Sequence, residues 1–431
     1  MLIFLYRLKE RILNYKAPKG TFDIFGKKAK IYEKIESIGK KIMKLYGFSE
    51  IRTPIFEDAG LFTRSLGETS DVVQKEMYIF KDKGNRLLAL RPEGTAPVIR
   101  SIIENNLAQN NSVKLFYTGQ MFRYERPQAG RFRQFHQFGA EIVGTQDPIS
   151  DFEIIDSSTK ILKELEIEYE LHLNSVGCKV CRPAYKEVLI LFLKDHVDEL
   201  CENCQTRLYK NPLRVLDCKE EQCKLVTSNA PKITDYLCED CKTHFEKLLN
   251  YLKKSKIEFI LNPRLVRGLD YYTKTAFEAL NFSLGSQNAV LGGGRYDGLA
   301  EELGGKNLPG VGFASGIERL VTILENSNKT FEKEHKFMVI PITSLEFDYA
   351  LNLTSELRKY ISVLFPYDYK NLKSALKLAV KSDCSYAVLV GSDEIRDNLI
   401  SIKNLENGKQ KSFSKVEFLN IINNERCNFG L

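Results

Sequence analysis

The chain has 431 residues, a hydrophobic share of 43% and a net charge of +7 from 63 Lys and Arg against 56 Asp and Glu. That length exceeds one compact core and implies two to three domains, and the apolar share excludes a disordered chain. The charge favours an anionic partner but falls short of a DNA-wrapping protein.

The opening MLIFLYRLKERILNY is apolar, yet Arg7, Lys9, Glu10 and Arg11 interrupt it too early for a signal peptide or a membrane span. A cytoplasmic protein without a membrane partner is expected, and in that compartment ten cysteines point to metal ligation or reduced thiols rather than disulfides. Ile31, Ile35, Ile38, Ile42 and Leu45 recur at helical spacing up to Gly47, and EIRTPIFE then reads as an edge strand containing Pro54. In MYIFKDKGNRLLALRPEGTAPVIR, Lys83, Gly84 and Asn85 form a hairpin turn and Pro97 opens a helix. Glu93 stands between strand and helix, where a carboxylate either caps the helix or receives an α-ammonium group.

Residues 115–144, LFYTGQMFRYERPQAGRFRQFHQFGAEIVG, read as two strands around an arginine-rich loop. Strand alternation puts Arg123 and Glu125 on one side, and Phe135, Gln137 and Glu141 on one side of the returning strand. Phe122, Tyr124, Phe138, Ala140 and Ile142 have the other parity and read as core. Arginine forks, carboxylates and an aromatic plane together suit a nucleotide plus an amino acid, and a charged hairpin facing water is the competing reading.

Residues 151–170 read as a helix and a strand. From 174 to 256 the composition changes to charged helical segments carrying Cys178, Cys181, Cys201, Cys204, Cys218, Cys223, Cys238 and Cys241. Afterwards come RLVRGLDYYTKTAFE, with Arg267 at a bend before Gly268, then VLGGGRYDGL and GVGFASGIERLVTIL. The last is a strand running into a helix whose early Arg319 makes a phosphate seat. A charged linker, FEKEH, precedes the apolar segments FMVIPI, ISVLFP and YAVLVG, which alternate with helices over 349–360 and 372–381 and predict a small α/β domain with largely parallel strands.

FRYERPQAGRFRQFHQFGAEIVG resembles the second motif of class II aminoacyl-tRNA synthetases in its histidyl form, and LVRGLDYY and GGGRYDGL resemble signatures of the histidyl-tRNA synthetase family. The resemblance implies a class II antiparallel-sheet catalytic domain over 15–173 and 257–327. It also implies an N-terminal extension over 1–14, a helical cysteine-rich insertion over 174–256 and an anticodon-binding α/β domain over 336–431. The implied enzyme is a homodimer that activates L-histidine with ATP and Mg²⁺ and charges histidine tRNA. By resemblance, Glu93, Thr95, Gln137, Glu141, Arg267, Tyr271 and Tyr272 bind histidine. Arg123, Glu125, Phe135 and Arg319 bind ATP, and Arg123 and Arg267 are the catalytic cations. Arg126, Gln128 and Arg131 belong to the loop that approaches the tRNA acceptor end.

A non-catalytic histidine-binding regulatory paralogue and a nucleic-acid-binding zinc protein with vestigial motifs are the alternatives. Relatives of the first kind usually lose histidine signatures and the C-terminal domain, both of which stand here. The eight insertion cysteines form four close pairs, and two pairs supply the four thiolates of a closed zinc site. Two structural Zn²⁺ sites are thus permitted, with reduced apolar filler and an iron–sulfur cluster as competitors, and the order along the chain does not tell which pairs combine.

Overall fold

The computed structural model describes residues 15–423 and Phe429, apart from 68, 69, 71, 110, 129, 269, 270 and 328–334. The N-terminal extension and residues 331–334 of the linker lie outside the described residues. The chain forms two units, Met1–Asn328 and Lys329–Leu431.

The first unit begins with α1 (Gly26–Leu45), which buries Ile31, Tyr32, Ile35, Ile42 and Met43, whereas Leu45 of the expected stripe is exposed. EIRTPIFE is not one strand. It splits into β1 (Ser49–Glu50) and β2 (Phe56–Asp58), with Pro54 outside both. The reason lies in Arg91, whose guanidinium takes the Thr53 and Pro54 carbonyls that a ladder would use. Next come α2 (Ala59–Leu66), then β3 (Ile79–Lys81) and β4 (Leu87–Leu90), antiparallel around the expected turn with Asn85 at φ 63°. Thr95 opens α3 (Thr95–Glu104), with Pro97 in its first turn.

The hairpin of β5 (Val113–Phe122) and β6 (Gln134–Val143) pairs without interruption from Val113↔Val143 to Phe122↔Gln134. α4 (Pro148–Glu164) leads to β7 (Glu170–Ser175), so the helical insertion starts beyond Ser175. Its helices are α5 (Arg182–Asp195), α6 (Glu202–Lys210), α7 (Glu221–Ser228) and α8 (Glu239–Lys254), around a core of Tyr185, Leu189, Leu193, Leu208 and Val215. After β8 (Ile260–Leu261), β9 (Thr273–Leu280), β10 (Ala289–Arg295), α9 (Leu299–Glu302), β11 (Gly310–Gly316) and α10 (Ile317–Asn326) complete the unit.

These strands make an eight-stranded sheet in the order β1-β5-β6-β11-β10-β9-β7-β8, antiparallel except at its two edges. Phe138, Ala140 and Ile142 are buried as their parity requires, and Phe138 stacks with Phe116. Tyr124 is not core. It lies past the end of β5, 53% exposed, under the Arg133 guanidinium and against Tyr78.

The second unit is a five-stranded sheet of β12 (Phe337–Pro341), β13 (Val363–Leu364), β14 (Tyr386–Val390), β15 (Leu399–Asn404) and β16 (Gln410–Ser414), ordered β13-β12-β14-β15-β16. Only β13, β12 and β14 are parallel, so the expectation of a largely parallel sheet is corrected. β15 and β16 add an antiparallel hairpin whose polar alternation in LISIKN and QKSFS lacks the apolar run of a buried strand. Helices Phe347–Leu357 and Lys415–Asn423 cover one face and Leu372–Lys381 the other.

Candidate active site

A cavity of about 250 Å³ opens over β6, β11, β10 and β9. The sequence signals converge on it: Glu93, Thr95, Arg123, Glu125, Arg131, Phe135, Gln137, Arg267, Tyr271, Tyr272 and Arg319 all line it. Arg126 and Gln128 are exposed beside it, and Gln128 bridges to Arg131 in the loop between β5 and β6.

At one end Glu93 caps α3, accepting from the amides of Thr95 at 2.7 Å and Ala96 at 2.9 Å. It is therefore a cap and a cavity carboxylate at once. Glu141 lies beneath the cavity rather than on its lining. It accepts from Thr95 Oγ1 at 2.8 Å and Tyr296 OH at 2.5 Å, and burial pushes its pKa up to about 8 against these two donors. The register opposes Glu141 to Gly312, where an added Cβ would lie 1.6 Å from Oε2. Only glycine leaves room for this carboxylate.

Arg267 ion-pairs with Glu278 of β9 and lies 5.5 Å from the Tyr272 ring. Burial opposes its charge, but the Glu278 carboxylate and the two tyrosines hold its pKa above the ordinary value. Gly292, opposite Glu278, admits the guanidinium, because a Cβ there would meet Nη1 at 2.4 Å. Glu278 was invisible in the sequence, since only the pairing of β9 with β10 brings it to Arg267.

Beside Glu93, Arg123 donates Nε to the Pro92 carbonyl at 2.9 Å and lies over the Phe135 ring, while Arg131 meets Glu125 at 3.2 Å. Arg319, in the first turn of α10, donates to the Ala289 carbonyl. Burial first, then the Arg131 and Arg123 charges, hold its guanidinium below its ordinary pKa. Cations pressed together in this way favour an anion between them. Gln137 Oε1 and Arg267 Nε, both buried, have no hydrogen-bond partner among the described residues. Such orphaned atoms in a cavity call for a polar ligand.

Comparison with known proteins gives this geometry a family. A histidyl-tRNA synthetase model matches residues 20–320 and an anticodon-binding-domain model matches 336–425. The chain belongs to the histidyl-tRNA synthetases. It is 49% identical over 402 residues to the histidine--tRNA ligase of Aquifex aeolicus, covering 93% of this chain and 98% of that one. It is 47% identical over 403 residues to that of Halothermothrix orenii, covering 92% and 96%. The apo crystal structure of the S. aureus histidyl-tRNA synthetase superposes with a TM-score of 0.77 at 35% identity, over 95% of this chain and 99% of that chain.

Within this synthetase architecture the insertion resolves the cysteine pairing. Cys178, Cys181, Cys238 and Cys241 form one group, and Cys201, Cys204, Cys218 and Cys223 the other, with the sulfurs of each within 4.8 Å of one another. Sγ atoms stand 3.7 Å apart for Cys178–Cys181 and Cys178–Cys238, 3.8 Å for Cys181–Cys241 and 3.9 Å for Cys201–Cys218. These spacings are far beyond a disulfide bond. They match the roughly 3.8 Å edge of a tetrahedron with arms of about 2.3 Å, the zinc–thiolate length.

Proposed function

We propose that the cavity joins L-histidine to ATP as histidyl-adenylate and passes the histidyl group to the 3′ end of histidine tRNA. The observation that carries this reading is the single chamber lined both by Glu93, Thr95, Gln137 and Tyr272, which suit an amino acid, and by Arg123 and Arg319, which suit an anion. The attacking histidine carboxylate is already ionised at neutral pH, so the step needs no general base. Alignment and stabilisation of charge on the α-phosphate do the work. Arg123 and Arg267 flank the reacting centre, Phe135 offers a stacking plane to adenine and Arg319 meets the outer phosphates. Mg²⁺ bound with ATP would neutralise phosphate charge, and Glu125 and Glu278 are cavity oxygen donors of the kind it takes. Gln137, Arg267 and Tyr271 would hold the amino acid. Glu141, with Tyr272, sets selection for an imidazole from beneath the floor through Thr95 and Tyr296. Arg126, Gln128 and Arg131 face the acceptor end.

The anticodon is assigned to the second unit and zinc to the two cysteine groups. Unpaired thiols grouped in this way fit a reducing cytoplasm. The assembly is assigned as a homodimer, supported by Ile55, Phe56, Ile79, Phe80 and Leu87, which are exposed around the β2-β4-β3 sheet. No described helix is long and apolar enough to cross a membrane. Retention of the whole histidine signature and of the tail favours the ligase over a regulatory paralogue. Histidine-dependent ATP–pyrophosphate exchange, followed by charging of histidine tRNA, tests the reading. Exchange that ignores histidine would refute it.

A further inference from the structure

We propose that the two four-thiolate groups are zinc clamps on the two flanks of one segment, residues 264–268 and 271–274, and that the bound metal thereby sets the enzyme's affinity for histidine. The segment carries Arg267, Tyr271 and Tyr272, and each flank is tied to a different cysteine group by hydrogen bonds rather than by packing alone.

The Cys178 group holds the C-terminal flank. Gly177, immediately before Cys178, offers its carbonyl to Lys274 N at 2.9 Å, Thr273 Oγ1 at 3.1 Å and Arg182 Nη2 at 3.1 Å. Val176 N in turn donates to the Lys274 carbonyl at 2.7 Å. Arg182, immediately after Cys181, reaches the Tyr272 carbonyl with Nη2 at 2.6 Å. From the other arm of the same group, Asp240 lies between Cys238 and Cys241 in sequence and pairs with Lys274 Nζ at 2.9 Å. Both cysteine pairs thus grip the start of β9, and a metal joining them would close the grip.

The Cys201 group holds the N-terminal flank. The turn leading into Cys218 carries Arg214, which donates to the Gly268 carbonyl at 2.6 Å, and Leu216, whose carbonyl accepts from Arg264 Nη2 at 3.3 Å. Cys201 N donates to Cys223 Sγ at 3.2 Å, so backbone and thiol of the two arms are already interlocked. Four thiolates close the coordination sphere of a zinc ion and leave no position for substrate. The metal's effect is therefore positional, and Arg182 and Arg214 are positioning residues. Arg123, Phe135 and Arg319 lie outside the segment, on the β5–β6 hairpin and α10, and none of the hydrogen bonds that tie the segment to the cysteine groups reaches them.

The histidine-affinity half of this inference rests on the ligase reading, whereas the metal half does not. In the full-length protein purified without chelator, metal analysis should find two zinc ions per chain, and Cys238→Ser with Cys241→Ser should lose one of them. Hydrogen exchange at the Lys274 amide should quicken at least tenfold in that variant, a readout independent of activity. The Michaelis constant for histidine should rise about tenfold or more while that for ATP stays within twofold. Because a cysteine variant can misfold, Arg182→Ala keeps the thiolates and removes the link to Tyr272. It should hold two zinc ions yet show the same selective rise for histidine. Fewer than one zinc per chain, unchanged Lys274 exchange, or a zinc-loaded Arg182→Ala protein with unaltered histidine dependence would each overturn the inference. Wild-type protein that fails to use histidine at all would instead overturn the ligase reading, leaving zinc content and exchange to judge the clamps.

Discussion

Arg267 shows what a single residue required of the fold. Its guanidinium occupies space that any side chain at position 292 would take, and its counter-charge comes from a neighbouring strand. Arg267→Ala should reduce histidine-dependent pyrophosphate exchange on the order of a hundredfold or more, as loss of a charge-stabilising donor does. Near-normal exchange in a folded variant would contradict its role. Glu141 is equally specific, since its acceptors are fixed by Thr95 and Tyr296. Glu141→Gln should weaken histidine use more than ATP use, read as Michaelis constants for the two substrates, and equal losses would count against the assignment. The same variant tests linkage. The Glu141 pKa of about 8 lies above the ordinary 4.5, so the native state keeps a proton that the unfolded chain releases. The resulting stability is complete below pH 4.5 and is lost as pH rises through about 8, at up to about 1.4 kcal/mol per pH unit. Unfolding free energies measured across that window should slope for wild type relative to Glu141→Gln, and parallel profiles would refute the shift. The sequence placed Glu141 on the right face by strand parity, but not its depth, which depends on Gly312 of a strand far away in sequence.

Among the elements, the β5–β6 hairpin was legible because strong alternation leaves one buried parity, and Gln137 and Phe135 came out on the cavity side. In the first unit, the strand readings that failed involve competition for backbone groups or the end of a strand. Arg91 claims the carbonyls around Pro54, and Tyr124 has already left the ladder. The cysteine pairs pointed to metal ligation by spacing, yet their combination depends on α8 folding back beside the turn that follows β7, which no local pattern encodes. The outer strand β3 makes a different demand. All three of its residues are exposed, including Ile79 and Phe80, and Leu87 on β4 and Phe56 on β2, the far strand of the same sheet, are exposed too. A lone sheet with apolar residues open to water asks to be covered. If this sheet is the interface of the proposed homodimer, replacing Phe56 and Phe80 with Glu should shift the protein from dimer to monomer in sedimentation velocity and lower exchange activity with it. A double variant that still sediments as a dimer would remove this sheet from the interface.

At the scale of the molecule, every residue proposed for adenylate formation belongs to the first unit, from Glu93 to Arg319, and the second unit has its own buried core around Phe337, Val388 and Phe418. The two activities should therefore separate. Deleting the chain from Phe337 onward should leave histidine-dependent pyrophosphate exchange within about twofold, because neither the cavity nor its supporting strands lose a partner from the first unit's sheet. If the second unit, which matches an anticodon-binding domain, holds the tRNA as proposed, charging of histidine tRNA should fall at least tenfold, with the loss in tRNA affinity rather than in maximal rate. The salt dependence of binding gives a second signature. Removing phosphate contacts flattens the salt dependence of binding, so tRNA affinity of the truncated protein should decline less steeply with added salt than that of the intact chain. If the truncated protein charges tRNA as well as the full protein, with an unchanged salt slope, the second unit is not the anticodon reader and tRNA selection belongs to the insertion and the loop carrying Arg126 and Arg131.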